Sequence, residues 1–76
     1  MKITLKLESY YLKNKYPSST IELDYLKPIP VRKLLKDAKI SPTDVFFIKV
    51  GNSIVNVNYI LNKSEEVELF PVSVGG

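Results

Sequence analysis

Two of the side chains that most often do chemistry are missing: the 76-residue sequence has neither cysteine nor histidine. That removes the thiolate nucleophile, the usual Cys or Cys/His zinc site, any disulfide framework and the commonest general base. What remains is an acidic group (Glu65, Glu66 and Glu68), a cationic series (Arg32, Lys33, Lys36 and Lys39) and a closing stretch, Val72-Ser73-Val74-Gly75-Gly76. Adjacent and alternating carboxylates at a strand end do not converge on one ion, so the glutamates read as solvated charges and no metal site is expected. Lysines at successive i+3 positions share one broad side of a helix, as phosphate binding requires. No aromatic residue is interleaved among them for base stacking, however, and Asp37 interrupts the field. The series therefore reads as a solvated helix face, with Lys36 and Lys39 favourable at a helix C-terminus, or as a device that steers the chain toward an acidic partner. Nucleic acid is not an expected partner. The closing Gly75-Gly76 has no Cβ to pack and loses much freedom if ordered.

The elements that must position these groups follow from hydrophobic spacing. Ile3, Leu5 and Leu7 alternate with polar residues and predict a half-buried strand over Lys2–Glu8. The stretch SYYLKNKYPSS (Ser9–Ser19) contains a Pro17-Ser18-Ser19 turn signal and three tyrosines, Tyr10, Tyr11 and Tyr16, expected over a core edge. A second strand is predicted over Thr20–Leu26, with Ile21, Leu23 and Tyr25 on one face and Glu22 and Asp24 on the other. Lys27–Pro42 predicts a short amphipathic helix with Pro30 in its first turn and Val31, Leu34, Leu35 and Ala38 on one stripe. Asp44–Val57 holds two apolar runs around Gly51-Asn52-Ser53, the chemistry of a tight hairpin. Tyr59-Ile60-Leu61 is expected to close a core edge, and Glu66–Phe70 to form the last strand, ended by Pro71.

The order is ββαβββ, with no internal repeat and no domain boundary. A chain of this length buries roughly 60% of its unfolded surface, which leaves room for one core and no deep internal cleft. An enzyme built around its own cavity is not expected. One helix cannot cover both faces of a four- or five-stranded mixed sheet, so one face should stay open. That arrangement is the α+β β-grasp fold, with residues 1–71 as the domain and residues 72–76 as a flexible tail. No segment approaches the ~18 apolar residues of a membrane span, so no membrane partner and a cytoplasmic location are expected.

Three stretches, VRKLL (Val31–Leu35), FFIKVGNSIVNVNYIL (Phe46–Leu61) and ELFPVSVGG (Glu68–Gly76), frame a resemblance over essentially the whole chain. The sequence resembles the MoaD/ThiS family of ubiquitin-like sulfur carriers, and within it the small subunit of molybdopterin synthase. The specific part is the terminal strand, proline, short spacer and Gly-Gly. The chain departs from the family's common turns, with Asn62-Lys63-Ser64-Glu65 before the last strand and Gly51-Asn52 in the middle hairpin.

The resemblance implies that the reactive group is the main-chain carboxylate of Gly76. An E1-like adenylating enzyme would couple it to AMP from ATP, and a sulfur donor protein would then displace AMP to leave a thiocarboxylate. The domain itself would be no enzyme and would bind no cofactor; ATP belongs to the activating enzyme. The thiocarboxylate would serve a molybdopterin synthase large subunit or an analogous synthase, in molybdenum or tungsten cofactor synthesis. An extended five-residue stretch reaches at most about 17 Å, so Val72, Ser73, Val74 and Gly75 would form the passage into each active site. Strand alternation adds the grip: with Val67 and Leu69 inward, Phe70 faces the open side. By the same rule Phe46, Ile48 and Val50 point in, and Val45 and Phe47 point out. Phe70, Phe47 and Pro71 are thus the expected partner contacts. A thiamin-pathway carrier, or a ubiquitin-like modifier joined to lysines through Gly76, shares the activation chemistry, so the tail does not discriminate among them.

Overall fold

The computed structural model describes residues 1–8, 14–16 and 18–71. In chain order its elements are β1 (Lys2–Leu7), β2 (Thr20–Asp24), β3 (Ile29–Pro30), α1 (Val31–Asp37), a 3-10 turn (Pro42–Asp44), β4 (Phe47–Val50), β5 (Ser53–Val55), β6 (Ile60–Leu61) and β7 (Glu65–Phe70). Five strands form one mixed sheet in the order β2-β1-β7-β4-β5, while β3 and β6 pair apart from it. The last strand is therefore the central one, parallel to β1 and antiparallel to β4.

Alternation decides which face each strand buries. Ile3, Leu5 and Leu7 from β1, Val67 and Leu69 from β7, and Ile48 and Val50 from β4 all turn toward α1, which answers with Val31, Leu34 and Leu35. Ile29, Ile40 and Leu61 complete the core. Leu5 stands opposite Val67, and Leu7 opposite Leu69, so the two inner strands are locked by their largest side chains. Each such burial is worth about 2 kcal/mol. With this register, the α+β β-grasp expectation holds.

The helix is shorter than the predicted Lys27–Pro42. Pro30 is extended, at φ −76 and ψ 154, and stands before the helix rather than inside its first turn. Two prolines cause this: the residue before a proline avoids the helical region, so Ile29 stays extended and pairs with Leu61. The first helical amides then find acceptors outside the helix, Val31 N–H on the Tyr59 carbonyl and Arg32 N–H on the Val57 carbonyl, both at 2.9 Å. At the other end Lys39 takes φ 61. Its N–H reaches the Lys36 carbonyl at 3.1 Å and the Ile40 N–H reaches the Leu35 carbonyl at 2.9 Å, the paired bonds of a Schellman stop.

One side-chain clasp and one tight turn close the loops. Tyr16 and Lys15 both bond the Asp44 carboxylate, and the Tyr16 oxygen accepts the Ser41 N–H at 3.1 Å. Tyr16 does pack against the core, as expected; Tyr10, Tyr11 and Pro17 lie outside the described residues. Lys15 and Tyr16 hold Asp44 below the usual carboxylate range. In the middle hairpin Val50 pairs with Ser53 across Gly51 and Asn52, and Gly51 adopts φ 61. That positive angle at the first turn position is why glycine stands there.

Candidate functional site

The open face of the sheet is built from the alternate residues of the same strands. Glu22 and Asp24 come from β2, Lys2 and Lys6 from β1, Glu66 and Glu68 from β7, and Lys49 from β4, so the rows alternate in sign across the sheet. Lys2 meets Glu22 at 2.9 Å and Lys6 meets Glu66 at 3.0 Å. These pairs are exposed and contribute little stability, but they cancel much of the field on this face. Glu66 thus faces a lysine. Glu68 is raised above the ordinary carboxylate value, first by a hydrogen bond with Glu8 and then by burial. Among the described residues no cluster of carboxylates could hold a metal ion.

At one end of this neutralised lattice the charges stop and aromatic rings begin. Phe47 on β4 stands opposite Phe70 on β7, and their rings stack at 4.4 Å between centroids and 10° between planes. Phe46 meets the Phe47 ring edge-on at 5.9 Å and 76°. The Phe46 N–H donates to the Phe70 carbonyl at 2.7 Å, so backbone as well as rings ties the three together. Phe46 and Phe47 also line a groove of about 300 Å³ with Pro42, Val45, Ile54 and Val57. Pro71 follows directly and is half-exposed.

Phe47 and Phe70 are therefore brought together on the open face, with Pro71 beside them in sequence. Val72, Ser73, Val74, Gly75 and Gly76 lie outside the described residues. One expectation is overturned: Phe46 does not point inward but is 66% exposed, and Val45 packs against the core in its place. The reason is local. Pro42–Asp44 forms a 3-10 turn and the strand begins only at Phe47, so the period of two does not extend back through Phe46. Tyr59 and Ile60 are likewise exposed, and only Leu61 of that trio closes the core. Ile54, 62% exposed, was not singled out by its pattern. Its pairing with Lys49 places it on the open face, a signal that needs the hairpin register.

Neither a protein-family model nor a curated protein matches this sequence. Solved structures do. The chain superposes on SAMP1 from Haloferax volcanii, a ubiquitin-like small archaeal modifier, with a TM-score of 0.74 over 100% of both chains at 16% identity. It also superposes on a Pyrococcus furiosus protein provisionally assigned as molybdopterin converting factor, subunit 1, with a TM-score of 0.71 at 16% identity, covering 93% of this chain and 97% of that one. The fold is that of the ubiquitin-like, MoaD-type β-grasp proteins.

Proposed function

We propose that this protein is a ubiquitin-like sulfur carrier whose Gly76 carboxylate is adenylated and then converted to a thiocarboxylate, for molybdopterin synthesis in the cytoplasm. The observation that carries the proposal is the position of the aromatic cluster. The sheet's central strand runs out at Phe70, the rings of Phe46, Phe47 and Phe70 gather at that point, and the sequence continues from it into Pro71 and VSVGG. Buried aromatic anchors dominate protein interfaces. A partner that grips these rings has the tail directed into its own active site.

The chemistry divides between the proteins. The carboxylate attacks the α-phosphorus of ATP on an activating enzyme and pyrophosphate leaves; a donor protein's persulfide then attacks the acyl carbon, AMP departs with one carboxylate oxygen, and a thiol cleaves the resulting acyl disulfide, leaving the thiocarboxylate and a disulfide. Gly75 and Gly76 allow a narrow passage and free backbone angles at the reacting atom. A synthase large subunit then receives the tail and consumes the sulfur. This chain binds, presents and is regenerated, without catalysing a step.

The test uses the purified chain with its activating enzyme and labelled ATP. Gly76→Val should abolish ATP–pyrophosphate exchange while the far-ultraviolet circular dichroism is unchanged, whereas normal adenylation of that variant would overturn the proposal. The likeness to the Haloferax modifier favours a second reading, conjugation of Gly76 to lysines of other proteins. Higher-mass conjugates in cells would distinguish it.

A further inference from the structure

A second surface, on the far side of α1, concentrates charge and apolar area. Between Tyr25 and Ile40 the chain carries Lys27, Arg32, Lys33, Lys36 and Lys39 against a single carboxylate, Asp37, a local excess larger than the +3 of the whole sequence. Asp37 is already engaged: it accepts the Tyr25 hydroxyl at 2.7 Å and lies 3.4 Å from the Lys33 ammonium. Arg32 donates to the Asn58 side-chain oxygen at 2.9 Å, a neutral partner that orients the guanidinium without cancelling its charge.

Apolar surface borders these cations. Leu26, in the bend between β2 and β3, is fully exposed. A lone exposed leucine is ordinary. Here Leu26 lines a cleft of about 480 Å³ with Pro28, Pro30, Lys27 and Lys33. Pro30 and Lys33 also line a second cleft, of about 430 Å³, with Arg32 and Lys36. Two shared residues make the clefts one continuous surface, apolar at the Leu26 end and cationic along the helix. Asp24 also lines the first cleft, at the Leu26 end rather than along the helix.

We infer that this surface docks an extended acidic segment of a partner protein, with apolar side chains against Leu26, Pro28 and Pro30 and carboxylates on Arg32, Lys33 and Lys36. Charge complementarity selects the acid. The proline-lined cleft selects a protein segment over single-stranded RNA, because a single ring, that of Tyr25, lines the first cleft and none lines the second, whereas successive bases need a series of stacking faces. The surface is separate from the aromatic cluster, since α1 covers the sheet face opposite the one that bears Phe47 and Phe70. Both can be occupied at once, and the docking does not depend on the chemistry of Gly76.

The test is fluorescence anisotropy with a labelled peptide that alternates Asp and Glu with Leu and Phe. Three controls accompany it: the peptide with Asn and Gln for its acids, the peptide with Ser for its apolar residues, and an oligouridylate. The full peptide should bind best, and either substitution in it should weaken binding about ten-fold. Lys33→Glu with Lys36→Glu should cost about ten-fold or more, Leu26→Ser several-fold, and Phe70→Ala nothing. All four positions are at least partly exposed, and a cooperative thermal unfolding transition in each variant would confirm that it folds. Amide shifts confined to residues 25–39 would place the peptide on this surface. Absence of binding at low salt, equal binding of the Ser-substituted peptide, or tighter binding of the oligouridylate would overturn the inference.

Discussion

The aromatic end of the sheet and the cationic side of the helix are both candidate interfaces, built on opposite principles. The first is held by covalently distant strands: Phe47 and Phe70 lie 23 positions apart and meet only because β4 and β7 pair. Its rings are fixed by stacking and by a backbone hydrogen bond, so a partner meets a preformed anchor. The second is local, assembled within Leu26–Lys39 from long flexible side chains on one short helix and its preceding bend. Ordering lysines costs side-chain entropy, so such a surface favours rate of encounter over strength of grip. Rigid aromatic contact suits the step where a tail must be placed, and diffuse charge suits the step where a partner is found.

That contrast can be broken at its foundation. Leu69 lies one residue before Phe70 on β7 and is fully buried, so Leu69→Ala should destabilise the fold by about 3 kcal/mol. Urea denaturation should show it, and the aromatic end should be lost together with the core. A finer cut separates the rings from the fold: in a double-mutant cycle Phe47→Ala and Phe70→Ala should couple by about 1 kcal/mol, as a stacked pair does. Additive effects would mean that the two rings do not act as one anchor.

Smaller changes sharpen the helix side. Lys39 occupies a left-handed angle that glycine adopts without strain, so Lys39→Gly should stabilise the protein by up to about 1 kcal/mol while trimming the cationic surface. The smallest effect concerns pH. Asp37 is held below its ordinary 3.8, first by the Tyr25 hydrogen bond and then by Lys33. A depressed carboxylate contributes stability that is present above its ordinary value and is lost as pH falls through the folded one. Stability should therefore decline less below pH 3.8 in Asp37→Asn than in the parent chain. Glu68 has the opposite sign, being raised above 4.5, so its contribution improves as pH falls through its folded value, and Glu68→Gln should remove that gain.

Much of the fold was legible because period-two spacing is strict where a strand packs on one face. Ile3, Leu5 and Leu7, and Val67 with Leu69, have no reading except inward, and both strands form as expected. The helix was legible in its stripe but not in its ends. Pro28 and Pro30 compete with the helical pattern, and a lysine at the left-handed stop carries no glycine to mark it. The site was half legible. Phe47 and Phe70 follow from alternation, but Phe46 depends on where the 3-10 turn resets the phase, and Ile54 on hairpin register. Leu26 falls in phase with Glu22 and Asp24 in the predicted strand, but the strand ends at Asp24, and only the folded chain shows that this leucine is fully exposed.

The measurement that bears most directly on the account is an intact mass, with a tail-peptide mass, of the protein taken from its native cells under conditions that preserve thioacids. The account predicts a fraction of chains ending at Gly76 with sulfur in place of one carboxylate oxygen. Chains with only a plain carboxylate, accompanied by branched peptides joining Gly76 to lysines, would contradict the carrier role and leave a protein modifier.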